Sequence, residues 1–144
     1  MNNIFINEAI KESIISYKLD EIPVGAVITK NNIVIAKGHN LKHNTNKATN
    51  HAEIISINNA CTFLKSWCLN ECSLYVTLEP CIMCAGAILE SRIKNLYIGT
   101  ANPYNGFFST NYYREFPNLN IYWYNNTTCE KLINRFFQKK RIGL

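Results

Sequence analysis

The sequence predicts an α/β fold in which helices pack on a partly parallel sheet of five strands. Five short β-rich runs are spread along the chain, segments of helical spacing fill two of the four gaps between them, and those connections are long enough to serve as crossovers. The chain has 144 residues, 47% of them hydrophobic and 17% charged. It is therefore expected to form one domain over residues 1–144, with a core that needs no disulfide.

Ile6, Ile10, Ile14 and Tyr17 recur at helical spacing, which predicts an amphipathic N-terminal helix ending near Asp20, ahead of Pro23. Two β-rich runs, Ile22 to Thr29 and Ile33 to Lys37, flank Lys30-Asn31-Asn32. An Asn pair tolerates the positive φ that a tight hairpin needs. His51 opens a stretch with Ile54, Ile55, Ile57, Cys61 and Leu64, spaced for a helix with a broad apolar face, and Ser73 to Leu78 reads as a strand. Pro80 is expected in the first turn of the next helix, where its missing N–H would have no partner, and Ala85 to Ile93 continue that helix. Asn95 to Thr100 and Asn120 to Tyr124 supply the last two strands. Thr127 and Glu130 are expected to form a capping box for a final helix. Its Leu132, Ile133, Phe136 and Phe137 make an apolar stripe, with Lys131, Arg135 and Lys139 on another face.

Composition narrows the function classes. The apolar runs fall far short of the roughly 20 residues that a membrane helix requires. Asn2, Asn3, Asn7 and Glu8 do not make an export signal, so cytoplasmic residence is the expectation. In a reducing compartment the six cysteines are expected as free thiols or zinc ligands. A net charge of +5 favours a polyanionic partner without establishing one.

His51-Ala52-Glu53 and Pro80-Cys81-Ile82-Met83-Cys84 form H-x-E followed by P-C-x-x-C, the signature of zinc deaminases that act on nucleobases. Cysteines three apart share a helix face, so both sulfurs can reach one ion, and a helix N-terminus favours thiolates. One imidazole and two thiolates leave the fourth tetrahedral position of a zinc ion open to water, the arrangement of a catalytic site. Glu53 is the carboxylate that can move protons there. Residues two apart on a regular helix point about 200° apart, so His51 must start its helix for Glu53 to turn toward the same site. A C-x-x-C alone also fits a structural zinc site or a redox pair, and a structural site would require a fourth protein ligand. Cys61, Cys68, Cys72, Cys129, His39 and His43 are available, but none shows ligand spacing with the triad.

With these motifs in view, the sequence resembles the bacterial tRNA-specific adenosine deaminases of the TadA type, in the cytidine-deaminase-like superfamily. Ile22-Pro23-Val24-Gly25-Ala26-Val27 is similar to the family's first strand, and Gly38-His39-Asn40 to the turn before its active-site helix. Leu74 to Ala87 resembles its zinc-helix block and Cys129 to Arg141 its basic C-terminal helix. The resemblance implies a three-layer α/β/α fold with a central five-stranded mixed sheet. It implies one Zn2+ per subunit on His51, Cys81 and Cys84, with Glu53 as proton shuttle. Asn40, Ile22 and Ala52 are implied to bind the substrate base, Asn40 by a hydrogen bond; from the residues alone, Asn40 is an ordinary turn former. The implied substrate is the wobble adenosine of a tRNA anticodon loop, hydrolysed to inosine with release of ammonia. The implied assembly is a homodimer. Arg135, Phe136, Phe137, Lys139, Lys140 and Arg141 are the candidates for RNA contact, although an apolar stripe and a terminal basic cluster equally suit core packing and a solvated helix end.

The sequence departs from the family pattern at Lys47-Ala48-Thr49-Asn50 and in the loop from Ala101 to Phe108, where Asn102 replaces the usual Asp. Rival readings are a deaminase of a free base or nucleoside of the guanine or cytosine type, and a noncatalytic zinc-stabilised RNA-binding module. The lack of a second domain argues against a two-domain riboflavin-pathway enzyme, and Glu53 argues against the module.

Overall fold

A computed structural model describes residues 3–110 and 118–142. Asn31 and Asn32 both take positive φ, 51° and 60°, so the chain reverses in two residues between β1 (Gly25–Lys30) and β2 (Ile33–His39). The strand predicted from Ile22 begins later, at Gly25. Pro23 has no N–H to give a ladder, and the N–H of Val24 bonds back to the carbonyl of Ile22 at 2.9 Å.

β1 also pairs antiparallel with β3 (Cys72–Leu78), while β3, β4 (Asn95–Thr100) and β5 (Asn120–Trp123) are mutually parallel. The order β2-β1-β3-β4-β5 is the five-stranded mixed sheet expected from the sequence. Side-chain alternation divides it into two faces. Ala26, Ile28, Leu74, Val76, Leu96 and Ile98 enter one core with Ala52, Ile57 and Ala60 of α3 (Ala52–Leu64) and Ala85 and Ile88 of α4 (Ile82–Glu90). Val27 and Tyr75 point the other way, onto Ile6 and Ala9 of α1 (Ile4–Lys18). The last helix, α5 (Thr127–Ile142), lies beside α1, with the rings of Tyr17 and Phe136 6.3 Å apart. The layers are therefore α/β/α. Among the described residues no helix is long and apolar enough to cross a membrane, and all six cysteines are free thiols.

Three local expectations are corrected. Pro80 lies before the N-cap Cys81 and outside the first turn of α4, where its carbonyl accepts the N–H of Phe107 at 3.0 Å. That helix stops at Glu90 and does not continue to Ile93, because Arg92 takes φ 66° and turns the chain into β4, burying Ile93. The cap of α5 is Asn126, whose Oδ1 accepts the N–H of Cys129 at 3.0 Å, so Thr127 is already helical and no box forms with Glu130. A four-residue helix, α2 (Lys42–Thr45), was not expected, because one turn is too short to show a period.

Candidate active site

β2 ends where α3 begins to cross it. A Cβ on Gly38 would stand 2.6 Å from the carbonyl oxygen of Ala52, so only glycine lets the start of α3 rest on the strand. The next turn is tied at both ends. The Asn40 N–H donates to the carbonyl of Val24 at 3.2 Å, and its Oδ1 accepts the first N–H of α3, from Ala52, at 2.8 Å. His51 is the N-cap residue, in extended conformation at φ −80° and ψ 155°. Glu53 then falls in the first helical turn and is buried, as the geometric condition on His51 requires.

On the neighbouring crossover, Cys81 is the N-cap of α4 and Cys84 lies in its first turn. The Nδ1 of His51 is 3.7 Å from Cys81 Sγ and 3.5 Å from Cys84 Sγ, and the three ligand atoms all lie within 4.8 Å of one another. Nitrogen and sulfur ligands at about 2.05 and 2.3 Å from a tetrahedral zinc stand roughly 3.6 Å apart. The donor set therefore fits a metal ion of that kind. Among the described residues, no other cysteine or histidine joins the cluster.

A hydrogen bond from Cys84, followed by one from His51, holds the Cys81 thiol down to about 4. The same Cys81 contact, reinforced by burial, pushes Cys84 up, and the Cys81 contact also raises His51. Burial pushes Glu53 up to about 7.

These groups open on a cavity of about 160 Å3 lined by Ile22, Val24, Asn40, His51, Glu53 and Cys81, with Asn102 and Asn105 on the opposite side. That is smaller than the roughly 300–1,000 Å3 of sites enclosing a drug-sized ligand, and suits one planar base.

Comparison with known proteins agrees with this chemistry. Residues 2–141 match the MafB19-like deaminase family. A tRNA-specific adenosine deaminase of Bacillus subtilis is 40% identical over 109 residues, which cover 76% of this chain and 68% of the relative. A structure from work on A-to-I editing by tRNA:A34 deaminases at the wobble position of transfer RNA superposes with a TM-score of 0.85. It is 34% identical and covers 91% of this chain and 99% of its own.

The chain belongs to the tRNA-specific adenosine deaminase family. A guanine deaminase from Bacillus subtilis is also similar, at 36% identity and a TM-score of 0.66 over 70% of this chain and 66% of its own.

Measured against the deaminase family pattern, the structure distributes the remaining candidates unevenly. Ile22 and Asn40 line the cavity. Ala52 does not: its side chain is fully buried in the core, and it meets the site only by giving Asn40 its N–H. Phe136 is buried against Tyr17, while half-buried Phe137 meets Tyr104 at 4.9 Å. Both phenylalanines border a second hollow of about 600 Å3 that shares Ile22 and His43 with the first. Arg135, Lys139, Lys140 and Arg141 are exposed.

Two residues of this deaminase site carry almost no signal in the sequence. Glu21, 1% exposed, accepts the N–H groups of His43 and Asn44 at 3.1 and 2.7 Å and so holds α2 at one side of the cavity. Glu79, equally buried, faces the loop at the other side. What signal there is consists of an acidic residue just ahead of a proline, in Glu21-Ile22-Pro23 and Glu79-Pro80.

Proposed function

We propose that the protein is a zinc-dependent hydrolase that converts the wobble adenosine of a tRNA anticodon loop to inosine. The observation that carries this reading is the convergence of His51, Cys81 and Cys84 beside buried Glu53 at a cavity of base size. Three ligands and, among the described residues, no fourth suit a catalytic ion better than a structural one. When bound there, zinc supplies a water made acidic enough to attack near neutral pH.

Glu53 takes a proton from the attacking water and returns it to the departing amine. Its raised proton affinity, near 7, matches a group that must gain and lose a proton at that pH. The water oxygen bonds to C6, the C6–N6 bond breaks, ammonia leaves, and the second water proton ends on N1 as the C6 carbonyl forms. Asn40 has its Oδ1 engaged by Ala52, so the side-chain NH2 is the group it offers to an acceptor on the base. Ile22 and Val24 give the ring an apolar wall and help exclude water. Anticodon-loop bases are unpaired, which lowers the cost of delivering one into the cavity.

The RNA reading rests on the family and on the A34 deaminase likeness, which spans nearly all of that chain at 34% identity. A tRNA substrate supports a cytoplasmic location. The homodimer implied by the family is supported by exposed Phe63 on α3 and by Ile82 and Leu89 on α4, large apolar side chains left on one layer.

The test is turnover by zinc-loaded protein on an anticodon stem-loop carrying a wobble adenosine, beside free adenosine, guanine and cytidine. Inosine in the stem-loop is expected, with Glu53→Gln slowing turnover about 10²- to 10⁴-fold while retaining zinc. Turnover of a free base without turnover of RNA would favour the guanine-type reading instead.

A further inference from the structure

Glu79 stands at the end of β3, two residues before Cys81, with its side chain 1% exposed. Neither metal binding nor proton transfer uses it. Yet its two carboxylate oxygens receive a dense set of hydrogen bonds from one loop. The N–H of Asn102 donates to Oε1 at 3.0 Å, and the N–H of Ser109 donates to Oε2 at 2.7 Å. The Ser109 hydroxyl reaches both oxygens, at 3.0 and 2.8 Å.

The loop is shaped to accept this clamp. Asn102 Oδ1 takes the N–H groups of Tyr104 and Asn105, its Nδ2 donates to Asn105 Oδ1 at 2.6 Å, and the Gly106 N–H returns to the Asn102 carbonyl. Gly106 passes directly over the Glu79 carboxylate, where any added Cβ would collide with it. The Phe107 N–H then closes onto the carbonyl of Pro80. Asn102 and Asn105 line the cavity wall opposite Ile22 and Asn40. Glu79 itself borders the cavity, and its hydrogen bonds to Asn102 and Ser109 set the position of that wall.

We propose that Glu79 is a positioning residue: by clamping the Asn102–Ser109 loop it fixes the far wall of the base pocket, and so governs how tightly the substrate base is held. The inference rests on the deaminase reading for its substrate, but the clamp itself does not. Both oxygens face N–H donors, so a carboxamide of the same shape must set an NH2 against one of them, and the loop must move. The wall then loosens while the ligands on α4 stay in place.

The experiment compares zinc-loaded wild type, Glu79→Gln and Gly106→Ala on the anticodon stem-loop. KM, kcat, zinc content and amide hydrogen exchange at Asn102 and Ser109 are measured in each. Gly106→Ala forces the loop and the Glu79 carboxylate apart and leaves Glu79 chemically intact, so it carries the test if Glu79→Gln folds poorly. Both variants are expected to raise KM roughly tenfold or more. They should change kcat only a few-fold, keep one zinc, and exchange the two amides faster. KM near the wild-type value in the folded variants overturns the proposal, as does a parallel loss of zinc and kcat at unchanged KM. Failure of the wild type on RNA would instead count against the substrate reading, while unaltered exchange at Asn102 and Ser109 would sink the clamp whatever the substrate.

Discussion

The Nδ1 of His51 lies 3.5 Å from the sulfur of Cys84, although 33 positions separate them in sequence. The pair joins the N-cap of one helix to the first turn of another, and the two helices follow different strands. The contact with Cys81 and burial push the Cys84 thiol up. Binding a divalent ion requires the thiolate. Zinc added to metal-free protein at pH 7 should therefore release about one proton or more per ion, visible with an indicator dye in weak buffer. Cys84→Ser should abolish stoichiometric binding. Zinc uptake without proton release would contradict this assignment.

Replacing Asn40 with Ala removes the acceptor for the first N–H of α3. The structural loss should be about 1 kcal/mol, the scale of a helix cap. Turnover should suffer more, on the order of 10²-fold, because the base is no longer held in position by the side-chain NH2. Urea unfolding and kcat/KM on the stem-loop separate the two effects. Equal losses by both measures would reduce Asn40 to a turn former.

Glu21 gives a pH dependence with a defined sign. Burial raises its proton affinity, but the hydrogen bonds from the Asn44 side chain and from the Asn44 and His43 backbone outweigh burial, and the folded pKa lies below the ordinary 4.5. The folded state therefore binds fewer protons than the unfolded chain. The stabilisation is fully present above 4.5 and is lost as pH falls through the lowered folded value. Glu21→Gln should melt at lower temperature than wild type at neutral pH, and the gap should narrow on acidification below 4.5. A gap independent of pH would refute the linkage.

The basic end of α5 needs point substitution. Truncation after Arg135 would remove Phe136, which is buried against Tyr17, and would confuse packing effects with charge effects. Changing exposed Lys139, Lys140 and Arg141 together to Gln keeps that core. If the three meet phosphates, the log–log salt slope of stem-loop binding should shrink by roughly 0.7 for each phosphate that is no longer neutralised. An unchanged slope would leave these residues as a solvated helix end.

Much of this protein is legible in its sequence where the controlling interactions are short in range. The Asn31-Asn32 turn, the strand from Asn95 to Thr100 and the N-terminal helix follow from local φ preference and apolar period. The element boundaries differ from the local reading where a single hydrogen bond decides them. Pro80 lies outside its helix, and Asn126 caps α5 in place of Thr127.

By itself the sequence determined the α/β class and the kinds of donor atom, because H-x-E and P-C-x-x-C name one imidazole, two sulfurs and a carboxylate within two short segments. Only the tertiary structure decided that these segments meet with His51 beside Cys84, that Ala52 turns into the core, and that Glu21 and Glu79 hold the two sides of the cavity. A buried carboxylate is recognised by the N–H groups that surround it. For Glu79 those come from residues 23 and 30 positions further along, a distance over which neither period nor propensity carries information.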